Sequence, residues 1–240
     1  MVNLERKIRD EKILIFGDMH VPYHHKDSIE FLREVKKKYR PNKIICTGDE
    51  VDNHAISYHE KDPDLMGAGD ELDASIMYMK ELYKIFPKVD LVDSNHGSLS
   101  KRKGKTAGIP NRMLRSYREI LEAPKTWNWH DKYYYEMRNG ETLFVSHMQG
   151  KNSGNIAKAN GCCYAQGHYH EDSNIVYTAT PMKTLWGMST GCLLDNDSLA
   201  FSYNKANLKI PALSVGFIRN GIPNLIPMVL DKHKRWTGKL

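Results

Sequence analysis

Lys43-Ile44-Ile45-Cys46-Thr47-Gly48-Asp49-Glu50-Val51-Asp52-Asn53 is the stretch whose reading decides the fold. Ile44, Ile45, Cys46 and Thr47 run straight into Gly48, and two carboxylates follow. A short apolar run ended by a glycine predicts a buried strand with a sharp exit at its C-terminal end. In open α/β sheets ligands bind beyond that end, so Asp49 would be delivered to the mouth of a site. Gly-Asp after one strand is also ordinary turn chemistry. Several strands ending in this way would be another matter.

Upstream, Lys12-Ile13-Leu14-Ile15-Phe16 predicts a second buried strand, ending in Gly17-Asp18-Met19-His20. Between the two, Asp27 or Ser28 can cap a helix in which Phe31, Leu32, Val35 and Tyr39 fall at helical spacing and Lys36, Lys37 and Lys38 face water. Pro41-Asn42 stops it. The result is a β-α-β unit with a parallel pair and a right-handed crossover. Downstream, Asp49 to Gly69 is polar and irregular. Leu72, Ile76, Met79, Leu82 and Phe86 mark a second amphipathic helix, ended by Pro87. Val89-Asp90-Leu91-Val92 is a third strand, running into Asp93-Ser94-Asn95-His96-Gly97.

Lys101, Arg102, Lys103 and Lys105 then stand among Ser and Gly. Pro110 opens a predicted helix with Met113, Leu114, Tyr117 and Leu121 on one side and Arg112, Arg115 and Arg118 on another, closed by Pro124. Beyond it the chain turns to strands. Thr142-Leu143-Phe144-Val145 leads into Ser146-His147, and Cys162-Cys163-Tyr164-Ala165 into Gln166-Gly167-His168-Tyr169-His170. Ile175–Tyr177, Gly191–Leu194 and Leu199–Phe201 are shorter candidates. Leu213–Ile218 and Leu225–Leu230 flank Asn220-Gly221, a hairpin signal. No repeat, low-complexity tract or linker divides the chain, so a single domain over 1–240 is expected.

The 240 residues are 40% hydrophobic and 27% charged, ordinary for a globular protein with a core of its own. No apolar run approaches the roughly 20 residues that span a bilayer. The segment from Met1 to Glu11 is polar and lacks a signal-peptide core, so a cytoplasmic protein without a membrane partner is expected. Cys162 and Cys163 are adjacent, Cys46 and Cys192 lie in apolar stretches, and no zinc-type spacing is present. All four read as buried thiols. The formal charge of +6 is compatible with a polyanionic partner and does not establish one.

Five apolar runs thus end in metal-competent side chains: Asp18 with His20, Asp49, Asn95 with His96, His147, and His168 with His170. A single His after a strand is commonly a hydrogen-bonded turn residue. Five such ends in order are hard to explain that way. Carboxylate, imidazole and amide without thiolate suit borderline divalent metals.

Taken together, Gly17-Asp18-Met19-His20, Gly48 to Asn53, Asn95-His96, Ser146-His147 and Gly167-His168-Tyr169-His170 resemble the ordered motif blocks of calcineurin-like metallophosphoesterases. The last third of the chain resembles small bacteriophage-encoded members. The resemblance implies an α/β sandwich of two mixed β-sheets flanked by helices, with the site at the sheet edges. It implies two divalent ions, manganese first, with iron, zinc, nickel or magnesium as alternatives. Asp18, His20, Asp49 and His170 would hold one ion; Asn95, His147 and His168 would hold the other, with Asp49 bridging. His96, oriented by Asp52, would face the leaving oxygen.

The expected reaction is phosphoester hydrolysis by metal-activated water, on a phosphodiester of nucleic acid or a nucleotide. The alternatives are a phosphomonoesterase acting on a small molecule or phosphoprotein, and a non-catalytic scaffold. A complete ligand set counts against a scaffold. Three positions depart from the family pattern. Ser94 and Gly97 flank Asn95-His96 where a glycine and an acid are usual, and Asn53 stands where protein-phosphatase members carry an arginine able to grip a terminal phosphate. Lys101, Arg102, Lys103 and Lys105 begin just past His96, so they are expected to flank the cleft and contact substrate. His24, His25, His54 and His59 read as solvated loop residues, and Trp127, Trp129 and Tyr133–Tyr135 as core or lid packing.

Overall fold

The computed structural model describes residues 10–58, 62–198, 200 and 210–240. Lys12–Phe16 (β1) and Lys43–Cys46 (β2) pair in parallel, with Ser28–Tyr39 (α1) as the crossover between them. Ala68–Ile85 (α2) leads to Val89–Val92 (β3), which adds in parallel to β2. Leu99–Thr106 (α3) and Tyr117–Ile120 (α4) precede Trp127–His130 (β4), which pairs in parallel with β3.

Tyr133–Glu136 (β5) and Thr142–Val145 (β6) begin a second sheet. Ser153–Asn160 (α5), Cys163–Gln166 (β7), Ser173–Ala179 (β8) and Thr184–Thr190 (β9) follow. Ser214–Arg219 (β10) and Ile222–Pro227 (β11) return to the first sheet, β10 antiparallel to β1. The strand orders are β11-β10-β1-β2-β3-β4 and β5-β6-β7-β9-β8, and both sheets are mixed.

Strand alternation divides the core. Ile13, Ile15, Ile45 and Val92 join Leu143, Val145, Ala165 and Met188 of the second sheet. Leu14, Phe16, Cys46 and Leu91 turn the other way, against Phe31, Leu32 and Val35 of α1 and Met79 and Leu82 of α2. Strands covered on both faces must be continuously apolar, which is why β1 and β2 are so plain in the sequence. Each such side chain contributes about 1.5–3 kcal/mol of burial. The four cysteines are free and buried.

Several elements differ from expectation. Asp27 precedes α1 without a side-chain cap; its carboxylate instead accepts from Arg235 Nε (2.8 Å) and the Trp236 N–H (2.9 Å). The basic stretch folds as α3. The helix expected from Pro110 breaks into a 3-10 turn, Asn111–Met113, and the single-turn α4. Ser116 explains the break. It caps α4 with extended backbone and a capping box to Glu119, a conformation no helix can run through. Gly191–Leu194 forms no strand, only isolated bridges at Cys192 and Leu194. β11 starts at Ile222 because Asn220 and Gly221, both with positive φ (51° and 84°), complete the turn in two residues. Leu199 and Phe201 lie outside the described residues. Among those described, no helix is long and apolar enough to cross a membrane.

Candidate metal centre

The segments that follow β1, β2, β3, β6 and β7 meet at one edge of the sandwich. Two of them are zipped by backbone bonds: Asp18 N–H to Gly48 O (2.9 Å), His20 N–H to Asp49 O (3.0 Å) and Val21 N–H to Glu50 O (3.0 Å). Asp18, His20, Asp49, Asn53 and His168 all have positive φ, between 49° and 69°. This is an uncommon conformation for residues with a Cβ, and such outliers collect at functional sites.

Three overlapping donor groups result among the described residues: Asp18-His20-His170, Asp49-His147-His168, and His20-Asp52-His96, which shares His20 with the first. In the first, His170 Nε2 lies 3.1 Å from His20 Nε2 and 3.3 Å from Asp18 Oδ1. In the second, His147 Nε2 lies 3.0 Å from Asp49 Oδ2, 2.6 Å from Asn95 Oδ1 and 3.2 Å from His168 Nδ1. Asp49 Oδ2 is also 3.8 Å from His20 Nε2, so this carboxylate stands between the first two groups. Asp18, His20, Asp49 and His147 are buried, whereas the His170 side chain keeps 26% of its surface open.

The chemistry of these donors fits divalent ions. His147 Nδ1 faces the Thr47 carbonyl at 2.8 Å, an acceptor, so Nδ1 carries the ring proton. Nε2 then faces Asn95 Oδ1, Asp49 Oδ2 and His168 Nδ1, and a cation there, a divalent ion or a proton on Nε2, satisfies them together. Asp18 Oδ2 and Asp52 Oδ2 are likewise buried with no hydrogen-bond partner among the described residues. No thiolate takes part, as suits a borderline metal.

Electrostatics point the same way. Burial would raise Asp49, but the imidazoles of His147, His96 and His20 hold it well below the usual carboxylate range. Burial lowers His147, and the Asp49 carboxylate overrides it, pushing the ring up to about 9. His20 is lowered, chiefly by burial.

His96 belongs to the third group. Its Nδ1 lies 2.8 Å from Asp52 Oδ1 and also meets the Asp52 carbonyl, while its backbone N–H donates to Asp49 Oδ1 at 3.1 Å. Burial pulls this imidazole down, but Asp49 and Asp52 raise it to about 10. With Nδ1 engaged, Nε2 is the nitrogen left for proton exchange. Ser94 and Gly97 do not disturb this arrangement: Ser94 Oγ accepts the Gly97 N–H at 3.1 Å and closes the loop around His96. Asp52 Oδ1 is also 3.4 Å from His20 Nδ1, a second role that the motif alone does not signal.

Other contributors had no sequence signal. Glu71 on α2 accepts the N–H groups of His54 (2.6 Å) and Ala55 (2.7 Å), bracing the loop that carries Asp52. An acid in the first turn of a helix reads only as a dipole partner. His24, His25 and His54 are buried rather than solvated. His24 packs edge-on against Tyr78, and burial pushes it down to about 4; His25 Nε2 meets the Lys234 carbonyl at 3.1 Å. His59 lies outside the described residues. Trp127 is fully buried and donates to Phe86 O (2.7 Å), as expected of a core residue.

The α3 cations are unequal. Lys101, Arg102 and Lys105 are exposed and Lys103 is half-buried. Arg102 donates to the Asn95 carbonyl at 2.6 Å, and Lys101 is within electrostatic reach of Asp93. Arg118 is drawn off to the Trp127 carbonyl at 2.8 Å and serves the fold.

A family model described as calcineurin-like phosphoesterase matches residues 11–178. The chain belongs to that family. The family's chemistry is metal-dependent hydrolysis of phosphoesters. A comparison with curated proteins finds no match. Similar solved structures include vacuolar protein sorting 29 from Cryptosporidium parvum (13% identity, 90% of this chain and 96% of that one, TM-score 0.43). Vps29 from Chaetomium thermophilum is similar at 11% identity over 95% and 92% of the two chains, TM-score 0.48. The nuclease MPE of Pseudomonas putida is similar at 13% over 90% and 86%, TM-score 0.39. At these values the likeness carries nothing about substrate.

Proposed function

We propose that this calcineurin-like phosphoesterase is a dinuclear-metal phosphodiesterase acting on nucleic acid. Asp18, His20, Asp49 and His170 hold one divalent ion; Asn95, His147 and His168 hold the other and share Asp49 with the first. The observation that carries the reading is the pair of donor groups, Asp18-His20-His170 and Asp49-His147-His168, each with its ligand atoms within 4.8 Å of one another. When bound, two such ions acidify water and polarise phosphorus for in-line displacement. The chain does the rest. Asp49 offsets the repulsion between the two positive charges. Asp52 holds His96 Nδ1, so that Nε2 delivers a proton to the departing oxygen. Manganese is the first choice of metal.

Two features favour a polynucleotide. Asn53 cannot grip a terminal phosphate as an arginine would. Lys101, Arg102, Lys103 and Lys105 lie on the helix directly after His96, more cations than a small monoester can contact. The test compares manganese-dependent turnover of bis-p-nitrophenyl phosphate, p-nitrophenyl phosphate and labelled single- and double-stranded DNA and RNA. The diester and at least one polynucleotide are expected to exceed the monoester. Changing Lys101, Lys103 and Lys105 together to Ala, with Arg102 kept because it braces Asn95, is expected to flatten log affinity for the polynucleotide against log salt. The slope should fall by roughly 0.7–0.9 for each phosphate left unneutralised. Monoester preference with an unchanged salt slope would make the chain a phosphomonoesterase.

A further inference from the structure

Tyr58 is an exposed aromatic residue. Tyr58, Tyr134 and Tyr177 are the exposed aromatic residues among those described, at 58%, 56% and 58%. Tyr134 stacks on Phe144 with ring centroids 4.7 Å apart, and Tyr177 sits in β8 opposite Trp186. Tyr58 meets cations instead. Lys103 Nζ lies 3.7 Å from its ring centroid and the Arg102 guanidinium carbon 5.6 Å.

Both sides of this pairing spring from the candidate centre. Tyr58 follows the 3-10 turn His54–Ile56, which begins next to Asn53, and Asn53 Nδ2 donates to the His96 carbonyl at 3.2 Å. Arg102 and Lys103 belong to the helix that follows His96, and Arg102 is bonded to the Asn95 carbonyl at 2.6 Å. Two loops that carry Asp52 and Asn95 therefore bring an exposed ring and two cations together at the rim of the site.

A ring beside paired cations is the recognition unit of single-stranded nucleic acid: the unpaired base lies on the ring, and the adjoining phosphates pair with the cations. We infer that Tyr58, with Arg102 and Lys103, forms a base-stacking platform that seats one unpaired nucleotide flanking the scissile phosphate. Tyr58 as a whole is 58% exposed, and with Lys103 over one face of the ring the base would take the other. A duplex keeps its bases stacked internally and cannot use the platform. The inference rests on the phosphodiesterase reading for the word scissile, but the binding it predicts stands without metal or turnover.

The probe is therefore binding in EDTA, read by fluorescence anisotropy. A labelled oligothymidylate is compared with an abasic oligomer of equal length and charge. The wild type is expected to prefer oligothymidylate by at least about fivefold, the lower end for one base on one ring. Tyr58→Ala is expected to erase the preference and Tyr58→Phe to keep it. Lys103→Ala is expected to weaken both probes alike and reduce the salt slope. Equal preference in wild type and Tyr58→Ala, no preference in the wild type, or no binding of either probe would overturn the inference. Turnover of bis-p-nitrophenyl phosphate by the manganese-loaded wild type separates the two ideas. Turnover without base preference sinks the platform alone, and base preference without turnover sinks the phosphodiesterase alone.

Discussion

Gly167→Ala probes the first donor cluster with one added carbon. A Cβ there would sit 2.0 Å from Asp18 Oδ2, 2.8 Å from Thr47 Oγ1 and 3.0 Å from Asp18 Cγ. Carbon does not approach a neighbour closer than 3.0 Å, so the carboxylate must retreat by about 1 Å. It has little freedom to do so. Asp18 Oδ1 accepts the His168 N–H at 2.7 Å and lies 3.3 Å from His170 Nε2, and the side chain is fully buried. Metal sites tolerate ligand displacements of only about 0.2 Å. The variant should therefore bind about one manganese per chain where the wild type is expected to bind two, with the proposed Asn95, His147 and His168 site retained. Breaking or stretching the charge-assisted hydrogen bond should cost about 1.5–3 kcal/mol of stability. Metal analysis after stripping and reloading reads the first effect, and a urea melt the second. A folded Gly167→Ala protein that keeps two ions at wild-type affinity would refute the placement of Asp18 as a ligand.

Gly187→Ala tests the packing of α5 on β9. Its Cβ would lie 2.1 Å from the Ser153 carbonyl carbon and oxygen, backbone that no rotamer change can relieve, so a loss of about 1–3 kcal/mol is expected in a urea melt. Asp90→Asn tests a polar cluster across three neighbouring strands of the first sheet, where Asp90 on β3 meets Lys43 Nζ of β2 at 2.5 Å and His130 Nε2 of β4 at 3.0 Å. Burial raises Asp90, but Lys43 and His130 outweigh it and hold the carboxyl below its ordinary 3.8. Its contribution is thus present above pH about 4 and lost as pH falls through the lower folded value. The variant should be less stable at neutral pH and lose less stability on going to pH 3, as compared by urea melts at the two pH values.

Much of the fold was legible, for a physical reason. β1, β3 and β6 have the bounds read from their apolar runs, because strands buried on both faces permit few polar residues. The donors were legible because each follows such a run. β9 was not: Gly187 interrupts its pattern so that Ser153 can approach, and that need arises only in the packed structure. α5 is short, with few apolar residues, and is marked chiefly by its Asn152 cap and Gly161 stop. The Pro110 helix failed because the periodicity of Met113, Leu114, Tyr117 and Leu121 ignored the cap at Ser116. Within the site, Glu71, Tyr58 and the approach of Asp52 to His20 act through residues distant in the chain, where neither motif nor period reaches.

Metal content and turnover in Asp49→Asn and His96→Ala, measured side by side, test the central claim most directly. Asp49 lies between the two donor clusters, whereas His96 adjoins the first through its ring contact with His20 (centroids 4.6 Å apart) and the second through Asp49. After stripping and reloading with manganese, Asp49→Asn should lose affinity at both sites. His96→Ala should keep two ions per chain and lose about 10²–10⁴-fold in turnover of a dinucleotide, whose alkoxide leaving group needs the proton. On bis-p-nitrophenyl phosphate, which departs without one, the loss should be smaller. A His96→Ala protein as depleted of manganese as Asp49→Asn, or a wild type that binds no manganese, would contradict the account.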